Sequence, residues 1–153
     1  MNHLKEIQKL LIGRPVSHVW RGIGSALLIE FGTLTNRIRP SGISGKNPKG
    51  EITILIEWSW RIEGPRSILL GSWSSDGKWL KAFKGLLHAR VTDVSVFSTL
   101  PELQIVLSNG KRVSSFMTAE GQPRWIINSR IHAPRSWKVQ RGIITLTKET
   151  IFS

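Results

Sequence analysis

Residues 51–63 read EITILIEWSWRIE. Ile52, Ile54, Ile56, Trp58, Trp60 and Ile62 take every second position. Glu51, Thr53, Glu57, Ser59, Arg61 and Glu63 take the alternate ones, with Leu55 the exception. Successive side chains of a strand point to opposite faces, so this pattern predicts one long strand with an apolar face against a core. Trp58 and Trp60 continue the phase of the three isoleucines and are both expected inside. Glu63-Gly64-Pro65-Arg66 then turns the chain. Glycine permits dihedrals closed to other residues, and proline fixes φ and donates no hydrogen bond. Residues 67–74 are expected to return as the partner strand.

Upstream, Leu4, Ile7, Leu10 and Leu11 share one face of a short helix, with Asn2 placed to cap it and Gly13 following its end. Val16 and Val19 mark a strand, Gly22-Ile23-Gly24 a turn, and Leu27, Ile29 and Phe31 the next strand. Residues 32–50 have no periodicity and carry Arg37, Arg39, Lys46 and Lys49, which reads as a long basic loop. Downstream, Asp76-Gly77 opens a second helix. Its apolar stripe is Trp79, Leu80, Phe83 and Leu87, and Lys78, Lys81 and Lys84 lie on the other side. Val91, Val94 and Val96 mark a strand, as do Leu103, Ile105 and Leu107, and Ser108-Asn109-Gly110 is a hairpin turn. Residues 111–118 lead into Glu120-Gly121-Gln122-Pro123, 124–128 return, and 143–147 can add a final strand.

One phrase occurs twice: IEGPRSILLGS at 62–72 and AEGQPRWIINS at 119–129. The elements before it also recur, with the valines offset by 75 positions and the following strand by 76. The expected fold class is therefore mainly β with two short helices (α+β), as a single domain. A duplicated helix-plus-four-strand unit, with halves at about 1–75 and 76–128, would form a pseudo-twofold barrel or sandwich. Glu63, Gly64, Glu120 and Gly121 are the structural turn residues of the two closing hairpins, and 129–153 is a basic C-terminal extension.

The stretches LIGRPVSHVW, IEWSWRIEG, GSWSS, VTDVSVF and SFMTAEGQPRW resemble a family of small bacterial proteins of unknown function. The likeness spans about residues 10–128 and implies a duplicated, β-rich domain. It brings no activity, cofactor or catalytic residue with it.

The 153 residues carry a formal net charge of +12, no Cys, seven Trp and no Tyr. The absence of cysteine removes disulfides, thiolate metal sites and a Cys nucleophile. The charge favours an anionic partner: nucleic acid, phosphate or an acidic protein. The N-terminal MNHLKEIQKLLIGR lacks the apolar run of a signal peptide, and no window approaches a membrane span, so a cytoplasmic location is expected, without membrane association.

Motifs for chemistry fail. SGISGKNPKG departs from a phosphate-binding loop, since Pro40 stands where the first glycine belongs and Asn47 replaces the hydroxyl. His3, His18, His88 and His132 have no metal-ligand spacing, although His18 and His88 are expected at matching places in the two halves. Glu57, Glu63 and Glu120 are the candidate acids. Glu63 and Glu120 are expected to bond turn amides or to pair with Arg66 and Arg124. No catalytic, metal or cofactor-binding residue is assigned. The leading expectation is a non-catalytic domain that binds a protein partner. The alternative is a nucleic-acid-binding domain with contacts from Arg37, Arg39, Lys46 and Lys49 in the loop, from Lys78, Lys81 and Lys84 on the second helix, or from the basic tail, and with tryptophans for stacking. A small-molecule pocket or an enzyme without a recognisable motif is the third reading.

Overall fold

The structure is a computed structural model that describes residues 2–38, 45–120 and 125–149. Helix α1 (His3–Leu11) is capped by Asn2, whose side chain accepts from Lys5 N at 3.1 Å, and it buries Ile7, Leu10 and Leu11. The strands β1 (Val16–Arg21), β2 (Leu27–Phe31), β3 (Ile52–Ile56), β4 (Trp60–Glu63) and β5 (Ile68–Gly71) follow. A 3-10 turn at Asp76–Lys78 runs into α2 (Trp79–Lys84). Then come β6 (Val91–Phe97), β7 (Glu102–Leu107), β8 (Arg112–Ser115), β9 (Trp125–Ser129), β10 (Arg135–Gln140) and β11 (Ile143–Thr147).

The fold is mainly β with two short helices. Its strands form two antiparallel sheets, in the orders β1-β2-β3-β9-β10-β11 and β5-β4-β8-β7-β6, which do not close into a barrel. Apolar side chains of both sheets form one continuous core. Ile54, Ile127 and Trp137 come from the larger sheet, Ile62, Leu70 and Val113 from the smaller, and Ile7 and Phe83 from the helices.

The expected long strand at 51–63 is two strands in different sheets. β3 pairs with β2 and β9, whereas β4 pairs with β5 and β8, so Glu57-Trp58-Ser59 must step from one sheet to the other. Alternation holds inside each strand, but neither sheet fixes the phase at the step. Trp60 is accordingly 3% exposed and Trp58 is 44% exposed, so only the first of the two is a core residue.

The repeated phrase does not mark two equivalent hairpins. The Glu63 turn does join β4 to its partner β5, with Gly64 N–H donating to Ser67 O at 2.9 Å. The phrase at Glu120 lies between β8 and β9, which belong to different sheets and do not pair with each other. Gly121 and Arg124 lie outside the described residues. Gly64 does not adopt a left-handed conformation, and a Cβ there would meet Leu69 at an ordinary 3.4 Å, so its backbone does not require glycine.

A different correspondence is visible at the helix–strand junctions. Gly13 N donates to Val91 O (2.8 Å) and His88 N to Val16 O (2.8 Å). Val16 N donates to Ala89 O (2.8 Å) and Val91 N to Arg14 O (3.0 Å), and Pro15 bridges Arg90. The bonds come in two reciprocal pairs, each member mapping onto the other by an offset of about 75 positions, around the Pro15–Arg90 bridge. Gly13 and His88 both adopt positive φ, and irregularities fall between Val16 and His18 and between Val91 and Asp93. The orders β1-β2-β3-β9-β10 and β6-β7-β8-β4-β5 run through the same antiparallel steps. In this scheme His88 answers to Gly13, not to His18.

Residues 135–147 supply two strands of the larger sheet, and Trp137 and Val139 are fully buried. β11 is the sixth strand of its sheet and has no counterpart in the other.

Candidate interaction surface at the sheet crossing

The step between sheets leaves an aromatic ledge. Trp60 turns inward and donates from Nε1 to Ser25 O at 2.6 Å. It packs edge-on against Trp79, with centroids 5.1 Å apart, and Trp79 packs in turn against Phe83. Trp60, braced by this stack, is the floor. Above it, Gly71 and Ser74 close a tight turn: Ser74 N donates to Gly71 O at 3.0 Å, and Gly71 N to Ser74 Oγ at 2.9 Å. Trp79 Nε1 donates to Ser74 O at 3.0 Å, tying the turn to α2. The residue held at its tip is Trp73, 84% exposed.

Two adjoining hollows share Ser72, Trp73 and Ser74. One, of about 380 Å³, also holds Arg61, Ile68 and Phe116; the other, of about 430 Å³, holds Arg21, Ile23, Glu57 and Trp58. Trp73 is thus the wall between them. Ile23 is 99% exposed at one margin. Guanidinium groups line the rim, with Arg61 over the Phe116 ring at 5.2 Å and Arg21 over Trp79 at 4.2 Å. Arg21 also pairs with Asp76 at 2.7 Å. Rigid tryptophan beside arginine is the composition of protein-binding hot spots, because large flat side chains bury much area with little loss of conformational freedom. Sequence alternation hid Trp58, and nothing in the sequence distinguished Trp73 from a core tryptophan on the return strand.

The predicted basic residues divide. Lys78 and Lys81 come together with Lys111 and Leu69 around a hollow of about 450 Å³, whose described lining includes no carboxylate. Lys111 Nζ is committed to Gly85 O at 3.1 Å, and Lys84 is exposed away from the hollow. In the long loop Lys46 is exposed, and Lys49 pairs by backbone with Thr35. Arg37 turns inward, pairing with Glu30 and lying over the Trp20 ring at 5.4 Å, and Arg39 lies outside the described residues. Of the predicted loop and helix cations among the described residues, Lys78 and Lys81 alone line that hollow.

Glu63 pairs with Arg61 (2.6 Å) and Arg112 (3.0 Å), not with Arg66. Burial pushes its pKa upward, but hydrogen bonds from Arg112 and Arg61 and the charges of both outweigh this, and the carboxyl ends below its ordinary value. Glu120 is exposed.

A polar row on the outer face of the larger sheet is not legible in the sequence. Register sets His18, Glu30, Thr53, Asn128, Ser136 and Thr147 side by side, one on each strand. Glu30 is fully buried. It accepts from Gly50 N (3.0 Å), Trp20 Nε1 (2.8 Å) and Thr53 Oγ1, while Arg130 Nη1 donates to Thr53 Oγ1 at 2.8 Å. Burial pulls the Arg130 guanidinium below its ordinary value, with Glu30 acting against it. His18 Nε2 contacts Asn47 Oδ1 at 2.9 Å. The row fastens the long loop to the sheet, and Glu30 is saturated by partners, so it is an anchor rather than a catalytic acid. Among the described residues no cluster of three or more His, Asp or Glu is placed to hold a metal, and no helix is long and apolar enough to cross a membrane.

Comparison with protein-family models, with curated proteins and with solved structures returns no match to this chain.

Proposed function

We propose that this chain is a non-catalytic binding domain whose ledge around Trp73 receives a protein segment carrying apolar and acidic side chains. The observation that supports it is Trp73 itself. A tryptophan held by two turn hydrogen bonds at 84% exposure, dividing two hollows, exposes a large apolar surface that binding would bury. Arg21 and Arg61 beside it, and the net charge of +12, select acidic residues in the partner. The nucleic-acid reading rests on the same pairing of Trp and Arg, since bases stack on aromatic faces beside cations.

The test pans a displayed library of random segments about ten residues long, the reach of extended-peptide recognition, against the native protein and Trp73→Ala. The reading expects enrichment of aromatic or aliphatic residues interspersed with Asp and Glu, lost with Trp73→Ala. Equal enrichment on both proteins would sink it. Tight, salt-sensitive binding of an oligothymidylate that competes with no peptide would transfer the site to nucleic acid.

The same proposal covers the chain's history and setting. The reciprocal bonds around the Pro15–Arg90 bridge, related by an offset of about 75 positions, support duplication of a helix-plus-five-strand unit, and the likeness to small bacterial proteins supports a bacterial origin.

A further inference from the structure

We infer that β11 is a self-pairing edge, and that two copies of this chain join through it into one continuous sheet. Natural sheets guard their edges with bulges, charges, proline or short strands. Of the other three edge strands, β1 and β6 meet at Pro15 and Arg90, Gln8 of α1 donates to Val94 O of β6, and β5 has four residues, an irregularity at Ile62/Glu63, and Ser74 Oγ on its Gly71 amide. β11 has none of these guards. Its residues, Ile-Ile-Thr-Leu-Thr, are uncharged, and it pairs with β10 over five regular positions.

The hydrogen-bonding parity follows from the turn. Gln140 and Ile143 flank the two-residue loop Arg141-Gly142, where both φ are positive, as a type I′ hairpin requires. The pair closing such a loop is hydrogen-bonded, so alternation turns the backbone groups of Ile144 and Leu146 to the free edge. Among the described residues nothing pairs with them. Their side chains are only partly buried against the core, because β11 has no counterpart strand in the smaller sheet.

An antiparallel copy centred on Thr145 matches these features. Ile144 then faces Leu146 of the second copy, and Leu146 faces its Ile144. Both pairs present outward backbone groups, and the twofold axis passes at Thr145. Beyond the strand ends the same register directs the turn residue Arg141, exposed, toward the exposed Glu149 of the second copy, which bends back so that its carbonyl accepts from Ser136 Oγ at 2.9 Å, and does so twice. Glu149 is the single acid after residue 128, so this is the charge match that the tail permits. A five-residue edge buries little, so the association is weak and concentration-dependent.

Sedimentation equilibrium from about 10 µM to about 1 mM, the range for weak interfaces, tests it at fixed salt. The native chain should show a reversible monomer–dimer equilibrium. Arg141→Glu should weaken it about tenfold through repulsion across the axis, and adding Glu149→Arg should restore it. Ile144→Pro, which removes an edge-facing amide, should abolish it, whereas Ile144→Ala, which loses the same side chain and keeps the amide, should not. Trp73→Ala should leave it unchanged, which separates this inference from the peptide-binding one. A monomer throughout the range, or a dimer that ignores both the charge reversal and Ile144→Pro, would overturn the inference.

Discussion

The meanders β1–β3 and β6–β8 follow one hydrogen-bond plan and treat their outer faces in opposite ways. In the first, Glu30 lies between His18 and Thr53, fully buried beneath the loop that joins β2 to β3. In the second, the corresponding strand puts Val106 between Asp93 and Arg112, and β7 turns directly into β8 through Ser108-Asn109-Gly110. A long insertion is tolerated where the sheet beneath offers hydrogen-bond partners for its backbone. Gly50 N, Asn47 and Arg37 find such partners on the row around Glu30. The apolar cores of the two meanders match; the difference lies in what covers them.

If the two strand sets correspond, their tryptophans must behave alike. Trp60 faces Ser115 of β8, Trp125 faces Ile56 of β3, and both are buried. Trp60→Ala and Trp125→Ala should each cost roughly 3–5 kcal/mol in urea unfolding, whereas Trp58→Ala should cost less than about 1 kcal/mol as a largely surface change. Unequal costs for Trp60 and Trp125 would break the correspondence.

The contrast between outer faces predicts the next effect. Glu30→Gln strands Arg37 and Arg130 beside a neutral group and should cost about 3 kcal/mol, the scale for removing one partner of a buried ion pair. Val106→Gln on the other meander should cost less than about 1 kcal/mol. Hydrogen exchange sharpens this: in Glu30→Gln the amides of Gly50 and Lys49 should lose protection before those of β7.

Two glycines offer a smaller comparison. A Cβ on Gly50 would lie 2.5 Å from Phe31 O, which the sheet cannot move, so Gly50→Ala should cost about 1–3 kcal/mol. Gly64→Ala should be near neutral. The smallest effect concerns acid. The pKa of Glu63 is lowered in the fold, so its contribution is full above the ordinary carboxylate range and is lost as pH falls through the folded value. Glu63→Gln should therefore lower stability at neutral pH and flatten the acid limb of the stability profile. An unchanged limb would show that Arg61 and Arg112 exert no net effect through it.

Much of this fold is legible in the sequence. α1, β1, β2, β6 and β7 follow their apolar periods, and the 75-residue offset marks the junction where Pro15 meets Arg90. The sheet assignment of β3 and β4 is not legible, because period two continues through Glu57-Trp58-Ser59 while the backbone changes sheets. The phrase at Glu63 and Glu120 misleads, because a turn sequence fixes local backbone shape and not which strands pair. β10 is not marked by its sequence, although Arg141-Gly142 lies between two β-rich stretches. The ledge and the row around Glu30 are tertiary: Trp73 looks like a core residue, and Glu30 like an exposed one, until register places them.

The binding claim is tested most directly on the indole N–H signals of the seven tryptophans, followed while an enriched apolar–acidic peptide is added to the 15N-labelled protein. The account predicts that Trp58 and Trp73 shift with saturable dependence, while the core indoles of Trp60, Trp79, Trp125 and Trp137 stay in place. Shifts confined to backbone amides around Lys78 and Lys81, with both ledge indoles unmoved, would contradict it.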